Sequence, residues 1–312
     1  MKISRRIVVG SRGSKLALIQ TESVAAKIKE INPDLEVSIR QIVTKGDRNR
    51  HIQLDRMASI GVFVKELEEA LLADQIDLAV HSLKDMPTQI PSGLHLLAIM
   101  ERLDPGDVLI SGGERLAQLA PGSRIGTGSL RRAVQLNACR PDLEPCSIRG
   151  NVDTRLRKVA HGEFAGVILA AAAMQRLDWE DRVSEHLPLE YFLPAVGQGA
   201  LAVEARSNDK EPAKIVAPLN HVPTWQCVTA ERAFLYTLGG GCRAPIAALG
   251  KVNGATIKLE GMVADTRGKK LIRGSAEGSA GSPEELGARL AQQILEAGAS
   301  EIIAEVKAGE NG

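Results

Sequence analysis

In the stretch VHSLKDMP, Asp85 follows a run with strand character, Ser82 and Lys84 stand beside it, and Pro87 forbids an immediate helix. Ligands of open α/β sheets sit beyond the carboxyl ends of strands, which is where this hydroxyl, amine and carboxylate fall. Asp85 could there hold a developing cation or move a proton, with Lys84 engaging an anionic substrate arm. A solvated loop pair of Lys84 and Asp85 is the other reading that these residues leave open. In TLGGGCRAPI, Gly239, Gly240 and Gly241 run directly into Cys242. Three glycines give the backbone freedom for close approach of a ligand or another segment, which would leave the thiol accessible. A tight turn over a small apolar residue fits the same letters.

Arginine supplies the second chemistry. Between Arg124 and Arg157 the chain holds Arg131, Arg132, Arg140, Arg149 and Arg155 as well, against only Asp142, Glu144 and Asp153. Guanidinium groups capture carboxylate or phosphate in bidentate fashion, so the segment suits a small polyanion. In GTGSLRR, small residues including Thr127 end a strand and Ser129 stands as a helix N-cap, directing backbone N–H groups at an anion. Arg131 and Arg132 in the first turn oppose the helix dipole, and an anion would relieve that conflict. SIRGNVDTRLRK repeats the arrangement with Arg149 and Arg155, and GSRGSKLA gives a third version with Arg12 and Ser14. Surface solubility accounts for any one of these arginines less well once three strand-to-helix junctions carry them.

Other chemistries lack support. The formal net charge is +1 and aromatics make up 3% of residues, with none in the arginine-rich segment to stack bases, which argues against nucleic acid. Cys139, Cys146, Cys227 and Cys242 form no C-x-x-C pair, so no metal site or disulfide framework is indicated and reduced thiols are expected. His81 and His161 have no companions at ligand spacing, and His81 reads as a satisfied histidine at a strand end. Phosphate-loop, dinucleotide and nucleophile-elbow patterns are missing. The early run IVVG is too short for a signal peptide and no stretch is long enough to span a bilayer, giving the expectation of a cytoplasmic chain without a membrane partner.

Elements that would position these residues follow from periodicity. RIVVGS, LEVSIRQIV and IDLAVHSL read as strands, with helices over KLALIQTESVAAKIKEI and GVFVKELEEALLADQ and a polar loop, TKGDRNRHIQLDRMAS, before the second helix. A second α/β unit alternates SRIGTGS, LRRAVQLNACR, LEPCSIRG, NVDTRLRKVAHG and FAGVILAA. The last ninety or so residues suggest a small α/β domain: a helix over WQCVTAERAFLYTL, three strands, and a closing helix with Ser282 as N-cap and Pro283 at its first position.

HSLKDMP, GTGSLRR, SIRGNVDTRL, LPAVGQGAL, ERAFL and GGGCRAPI, in this order and spacing, resemble the porphobilinogen deaminase (hydroxymethylbilane synthase) family over nearly the whole chain. The resemblance implies an α/β fold of three domains. The first two resemble two-lobed periplasmic binding proteins, and the third is a small α/β domain with a three-stranded sheet. It places domain 1 at 1–100 with a return segment 200–218, domain 2 at 101–199 and domain 3 at 219–312. It implies a dipyrromethane cofactor on Cys242 through a thioether, Asp85 as the catalytic carboxylate, and four condensations of porphobilinogen with loss of ammonia. Hydrolysis then releases linear hydroxymethylbilane for tetrapyrrole biosynthesis. Carboxylates of substrate and cofactor would be met by Arg12, Ser14, Ser82, Lys84, Thr127, Ser129, Arg131, Arg132, Arg149, Arg155 and Arg176, with Gln198 in the hinge-side motif and Phe63 packing over the rings. A monomer is expected, on the same resemblance.

Three positions depart from that pattern: Ile60 where a lysine is common, Gly128 where a second serine is frequent, and Asp153 where a small residue is usual. Asp153 could weaken an anion contact or orient Arg155. A two-lobed anion-binding protein, a nucleic-acid binder and an inactive relative are the competing readings, and Cys242 with the third domain separates the first from an enzyme.

Overall fold

The computed structural model describes residues 6–42, 64–239 and 244–310. Ile60, Phe63 and Cys242 lie outside the described residues. Along the chain run β1 (Arg6–Arg12), α1 (Lys15–Ile31), β2 (Glu36–Ile42), α2 (Lys65–Leu72), β3 (Leu78–Ser82) and β4 (Leu94–Ile99). Next come β5 (Asp107–Ile110), β6 (Arg124–Thr127), α3 (Leu130–Cys139), β7 (Glu144–Ser147), α4 (Val152–Ala160), β8 (Gly166–Ala170), α5 (Ala171–Leu177) and β9 (Glu185–His186). The remainder is β10 (Leu201–Arg206), α6 (Lys210–Val216), α7 (Val222–Thr237), β11 (Ile246–Asn253), β12 (Thr256–Ala264), β13 (Leu271–Ser279), α8 (Pro283–Ile294) and α9 (Ser300–Glu310).

The strands form two five-stranded sheets, β2-β1-β3-β10-β4 and β7-β6-β8-β5-β9, and one three-stranded sheet, β11-β12-β13. This is the expected mixed α/β architecture. The chain divides into two compact units, one holding the stretch up to Arg102 with Ala200–Trp225, the other Leu103–Gly199 with the stretch from Gln226 onward.

In the first unit β1 pairs in parallel with β2 and β3, while β10 lies antiparallel between β3 and β4. Side chains alternate across this sheet, as strand geometry requires. Ile7, Val9, Leu78, Val80 and Val203 pack with Val24 and Ile28 of α1. Ala79 and Leu94 pack on the other face with Leu67 and Leu71 of α2. Gly10 belongs to this second face: a Cβ there would collide with Ile76 Cδ1 and stand 3.1 Å from Leu67 Cδ2, so a side chain would separate α2 from the sheet.

The second unit repeats the plan with β6 parallel to β7 and β8, and with β5 antiparallel to β8 and β9. Its third sheet is an antiparallel meander covered by α8, α9 and Phe234 of α7. Sequence periodicity leaves β4, β5 and β9 unassigned because LHLLAI does not alternate and runs as short as DVLI or EH carry too little alternation to read. Two further differences concern the closing helix. Ser282 occupies the N-cap position, but at ψ 57° its hydroxyl makes no cap bond, and the helix opens on Pro283, which has no N–H to satisfy. Beyond Ile294 the chain turns at Gly298 (φ 110°) and enters α9, which the sequence reading does not separate.

Gly10→Val is expected to overpack the α2 face and lower stability by about 1–3 kcal/mol. A denaturant midpoint equal to that of the parent would show that Ile76 yields without cost.

Candidate functional site

The two units are built separately. In the first, parallel β1 and β3 end at the same edge of the sheet, which brings the β1–α1 junction beside the residues after β3. Ser14 fulfils its N-cap role, its hydroxyl accepting from Ala17 N at 3.3 Å. Ser82 Oγ exchanges hydrogen bonds with the Gln20 amide of α1 at 3.1 and 3.2 Å. Gln20 was not singled out from sequence; its place on the buried side of α1, six residues past Ser14, is the signal available. Leu83–Asp85 form a single 3-10 turn, fixed at its start by Leu83 N donating to Ala200 O at 3.0 Å. That turn leaves Lys84 exposed and Asp85 half-buried. Arg12 is half-buried at the end of β1. Thus Arg12, Ser14, Ser82, Lys84 and Asp85 come from two adjacent strand ends.

In the second unit, Thr127 ends β6 and its hydroxyl accepts from Ser129 N at 3.1 Å. Ser129 occupies the N-cap of α3 but its side chain makes no cap bond, a correction to its expected role. The anion that answers the unfavourable dipole position of Arg131 and Arg132 is internal. Arg131 Nη1 donates to Asp107 Oδ2 at 2.7 Å and Nη2 to Oδ1 at 3.3 Å; Arg132 donates to Oδ1 through Nε at 3.0 Å and Nη2 at 2.7 Å. Both arginines are 6% exposed and Asp107 is 0% exposed. Gln198 joins them, its amide donating to Asp107 Oδ1 at 2.9 Å and to the carbonyls of Pro105 and Gly106.

Burial alone would raise the Asp107 carboxyl, yet the two guanidinium groups reverse this and hold it well below the carboxylate range. Asp107 is the residue that sequence reasoning missed, because a short DVLI run gives no sign that its first residue is a buried counter-ion.

Around this pair stand less compensated cations. Arg155 Nε donates to Gly150 O at 2.9 Å, and its pKa is lowered by burial and then by Arg132. Gly150, at φ 108°, turns the chain from Arg149 into α4, where Asn151 caps Thr154 N at 3.0 Å. A Cβ at Gly150 would stand 2.6 Å from Thr154 Cγ2, so the turn needs glycine. Arg149 is exposed. Arg176 donates to Gly199 O at 2.7 Å, and burial pushes its pKa down to about 10. Neither Arg155 nor Arg176 has a carboxylate partner among the described residues, and the buried Nε of Arg131 has no hydrogen-bond partner there. Half-buried cations short of counter-ions suit a ligand rich in carboxylates.

Gly128 bears on the same corner. A Cβ there would lie 3.3 Å from Ile148 O and 3.7 Å from Arg155 Nη2, so glycine leaves the space beside the guanidinium open. Asp153 makes no ion pair with Arg155 among the described residues; it lines a separate cavity of about 590 Å³ with Arg157 and Arg182. No group of three or more potential metal ligands occurs among the described residues, and no helix there is long and apolar enough to cross a membrane.

The guanidinium groups of Arg155 and Arg176, without carboxylate partners among the described residues, define an α/β protein suited to polycarboxylate ligands. Comparison with known proteins gives the specific family. A family model described as porphobilinogen deaminase, dipyromethane cofactor binding domain, matches residues 7–214, and one described as porphobilinogen deaminase, C-terminal domain, matches residues 225–296. The chain belongs to the porphobilinogen deaminase family. A porphobilinogen deaminase of Brevibacillus brevis is 46% identical over 300 residues, covering 96% of each chain. One of Geotalea uraniireducens is 46% identical over 298 residues, covering 96% of this chain and 94% of the relative. Among solved structures, the Bordetella pertussis BvgS VFT2 domain is similar at a TM-score of 0.41 and 15% identity, over 68% of this chain and 85% of that one. A Salmonella typhimurium periplasmic binding protein is similar at a TM-score of 0.38 and 13% identity, over 69% of this chain and 91% of that one.

Asp107→Asn is expected to cost about 3–5 kcal/mol, because it strands two buried guanidinium groups. Since the folded carboxyl titrates below its ordinary value of 3.8, the parent holds this contribution above that pH and loses it as pH falls toward the folded value. Acid unfolding should therefore be steeper in the parent than in Asp107→Asn; equal acid slopes would remove Asp107 as the counter-ion.

Proposed function

We propose that this chain is a hydroxymethylbilane synthase, a transferase of tetrapyrrole biosynthesis. It condenses four porphobilinogen molecules head to tail with loss of ammonia and releases linear hydroxymethylbilane by hydrolysis. The observation that carries this reading is the match of the cofactor-binding family model across residues 7–214. The half-buried guanidinium groups of Arg155 and Arg176, without carboxylate partners among the described residues, fit the cofactor and the growing chain, since each pyrrole brings an acetate and a propionate.

Dipyrromethane, held through a thioether at Cys242, supplies the nucleophilic pyrrole carbon on which the chain is assembled. Asp85 accepts pyrrole N–H groups and stabilises positive charge as ammonia departs, an electrostatic contribution that a half-buried carboxylate on a fixed turn can make. Lys84, Arg12 and Ser14 take substrate carboxylates at the strand ends of the first unit. Arg149, Arg155 and Arg176 take those of the elongating chain, with Thr127 and Ser129 beside them. Arg131 and Arg132, already gathered with Gln198 on Asp107, contribute positive charge and the buried N–H of Arg131 Nε, which has no hydrogen-bond partner among the described residues. Three sheets support a division into domains 1–100 with 200–218, 101–199 and 219–312. A cytoplasmic monomer that binds no nucleic acid completes the reading.

Intact mass of protein from a porphobilinogen-making cell tests the attachment: the parent should carry the extra mass of a dipyrromethane and Cys242→Ser should not. An unmodified parent that gives no hydroxymethylbilane from porphobilinogen would overturn the proposal. Asp85→Ala should load and fold normally but lose about 10²–10³-fold in kcat. Turnover at the parental rate would remove Asp85 from the chemistry.

A further inference from the structure

Three titratable side chains inside the first unit take no part in the chemistry above. His81 on β3 is 4% exposed, Glu204 on β10 is 0% and Glu68 on α2 is 8%. His81 Nε2 stands 3.0 Å from Glu204 Oε2 across the antiparallel pair of β3 and β10. Alternation along β3 puts His81 on the same face as Ala79, which packs on α2, and opposite Leu78 and Val80, which pack on α1. Glu204 shares that face, since Val203 and Ala205 point to the other. One oxygen of each acid, Glu204 Oε1 and Glu68 Oε1, is buried with no hydrogen-bond partner among the described residues.

Two carboxylates enclosed on one face would both carry charge out of water, and a proton held by one of them lowers that cost. Glu68 is the group that favours it. Burial, and after it the Glu204 carboxylate, raise its pKa above the ordinary 4.5, against a weaker opposing pull from His81. Other charged groups on or beside this face are Glu66 and Glu69 next to Glu68 on α2, Arg12 two residues past Gly10 on β1, and Arg206 on β10. Arg206 is engaged with Asp74, Asp77 and Asp209, and Glu69 with Lys65. On β4, His95 pairs in register with Ala205. Lys84 and Asp85 follow directly beyond Ser82.

The chain from His81 to Asp85 has little slack. Ser82 is tied to Gln20 of α1, and Leu83 N to Ala200 O, two residues before Ala202, the register partner of His81. The His81–Glu204 contact is a side-chain tie between β3 and β10 at the root of the turn that carries Asp85.

We propose that His81, Glu204 and Glu68 form a buried proton-sharing cluster that positions the Ser82–Asp85 turn. His81 and Glu204 are positioning residues joined through the Nε2–Oε2 contact, and Glu68 holds the proton that spares Glu204 a second carboxylate. The inference rests on the reading of Asp85 as the catalytic carboxylate. A carboxyl whose pKa is raised by folding gives stability that is complete below its unfolded value and lost as pH rises through the folded value. Above that value Glu68 ionises against Glu204, the tie between β3 and β10 weakens, and the turn loses its alignment.

The test is the pH dependence of kcat, KM and Tm in the cofactor-loaded parent, Glu68→Gln and Glu204→Gln. In the parent, Tm and kcat should fall together along one alkaline limb lying above pH 4.5, with KM changing by less than about twofold. Glu68→Gln keeps the shape but cannot ionise, and should abolish that limb in both quantities. Glu204→Gln should lower kcat about tenfold at every pH, because the pair with His81 loses its anion. A Glu68→Gln protein that keeps the parental limb in Tm overturns the cluster, and one that keeps it in kcat alone overturns its positioning role. If the parent makes no hydroxymethylbilane at any pH, the functional reading fails by itself, and the Tm limb still decides whether the cluster shares a proton.

Discussion

A carboxylate with no access to water must find its compensation inside the protein, and Asp107 finds it twice over, in Arg131 and Arg132 from the first turn of α3. Burial of one ion makes burial of the next affordable, and the excess guanidinium charge then has to be spread over further acceptors. Leu193 O takes Arg131 at 2.7 Å, Ile168 O takes Arg132 at 3.1 Å, and the Gln198 amide closes the remaining side of Asp107. The segment from Leu193 to Gly199 is thereby pinned. It is pinned again from its other side, where Glu231 of α7 accepts from Gly197 N at 2.8 Å and from Gly250 N of β11 at 2.9 Å. Within this unit, buried polar contacts thus run from the arginine pair to the three-stranded sheet.

The two five-stranded sheets solve one problem by the same route. In each, the strand second from one edge is flanked by two parallel neighbours, and an antiparallel strand leads to the far edge. A small-residue junction closes that strand in both, SRGSK at the end of β1 and TGSLRR at the end of β6. The serines of these junctions have diverged: Ser14 caps its helix, whereas Ser129 leaves its helix start to other groups. Buried ions have diverged as well. The second unit pairs two arginines with one aspartate, which leaves net positive charge. The first buries His81 against Glu204 at 3.0 Å, with Glu68, whose pKa is raised by burial, on the helix that packs on that face.

Much of the architecture was legible in the residue pattern. Long amphipathic stretches such as KLALIQTESVAAKIKEI and strands bounded by glycine gave the right element types, because periods of 3.6 and 2 show wherever one face is buried. The motifs HSLKDMP, GTGSLRR and SIRGNVDTRL gave the family and the junctions. Short strands escaped, since four residues of DVLI look alike in a strand or a buried helix.

What the sequence determined by itself was the inventory: which side chains carry charge, which junctions bend, and which family the whole belongs to. Only the tertiary structure decided how the charges are spent. Arg131 and Arg132, alike on paper to Arg149 and Arg155, are consumed by an aspartate more than twenty positions earlier, and His81 meets its carboxylate 123 residues later. Such pairings depend on strand order and register, which bring distant positions within 3 Å and exclude the water that would otherwise separate them.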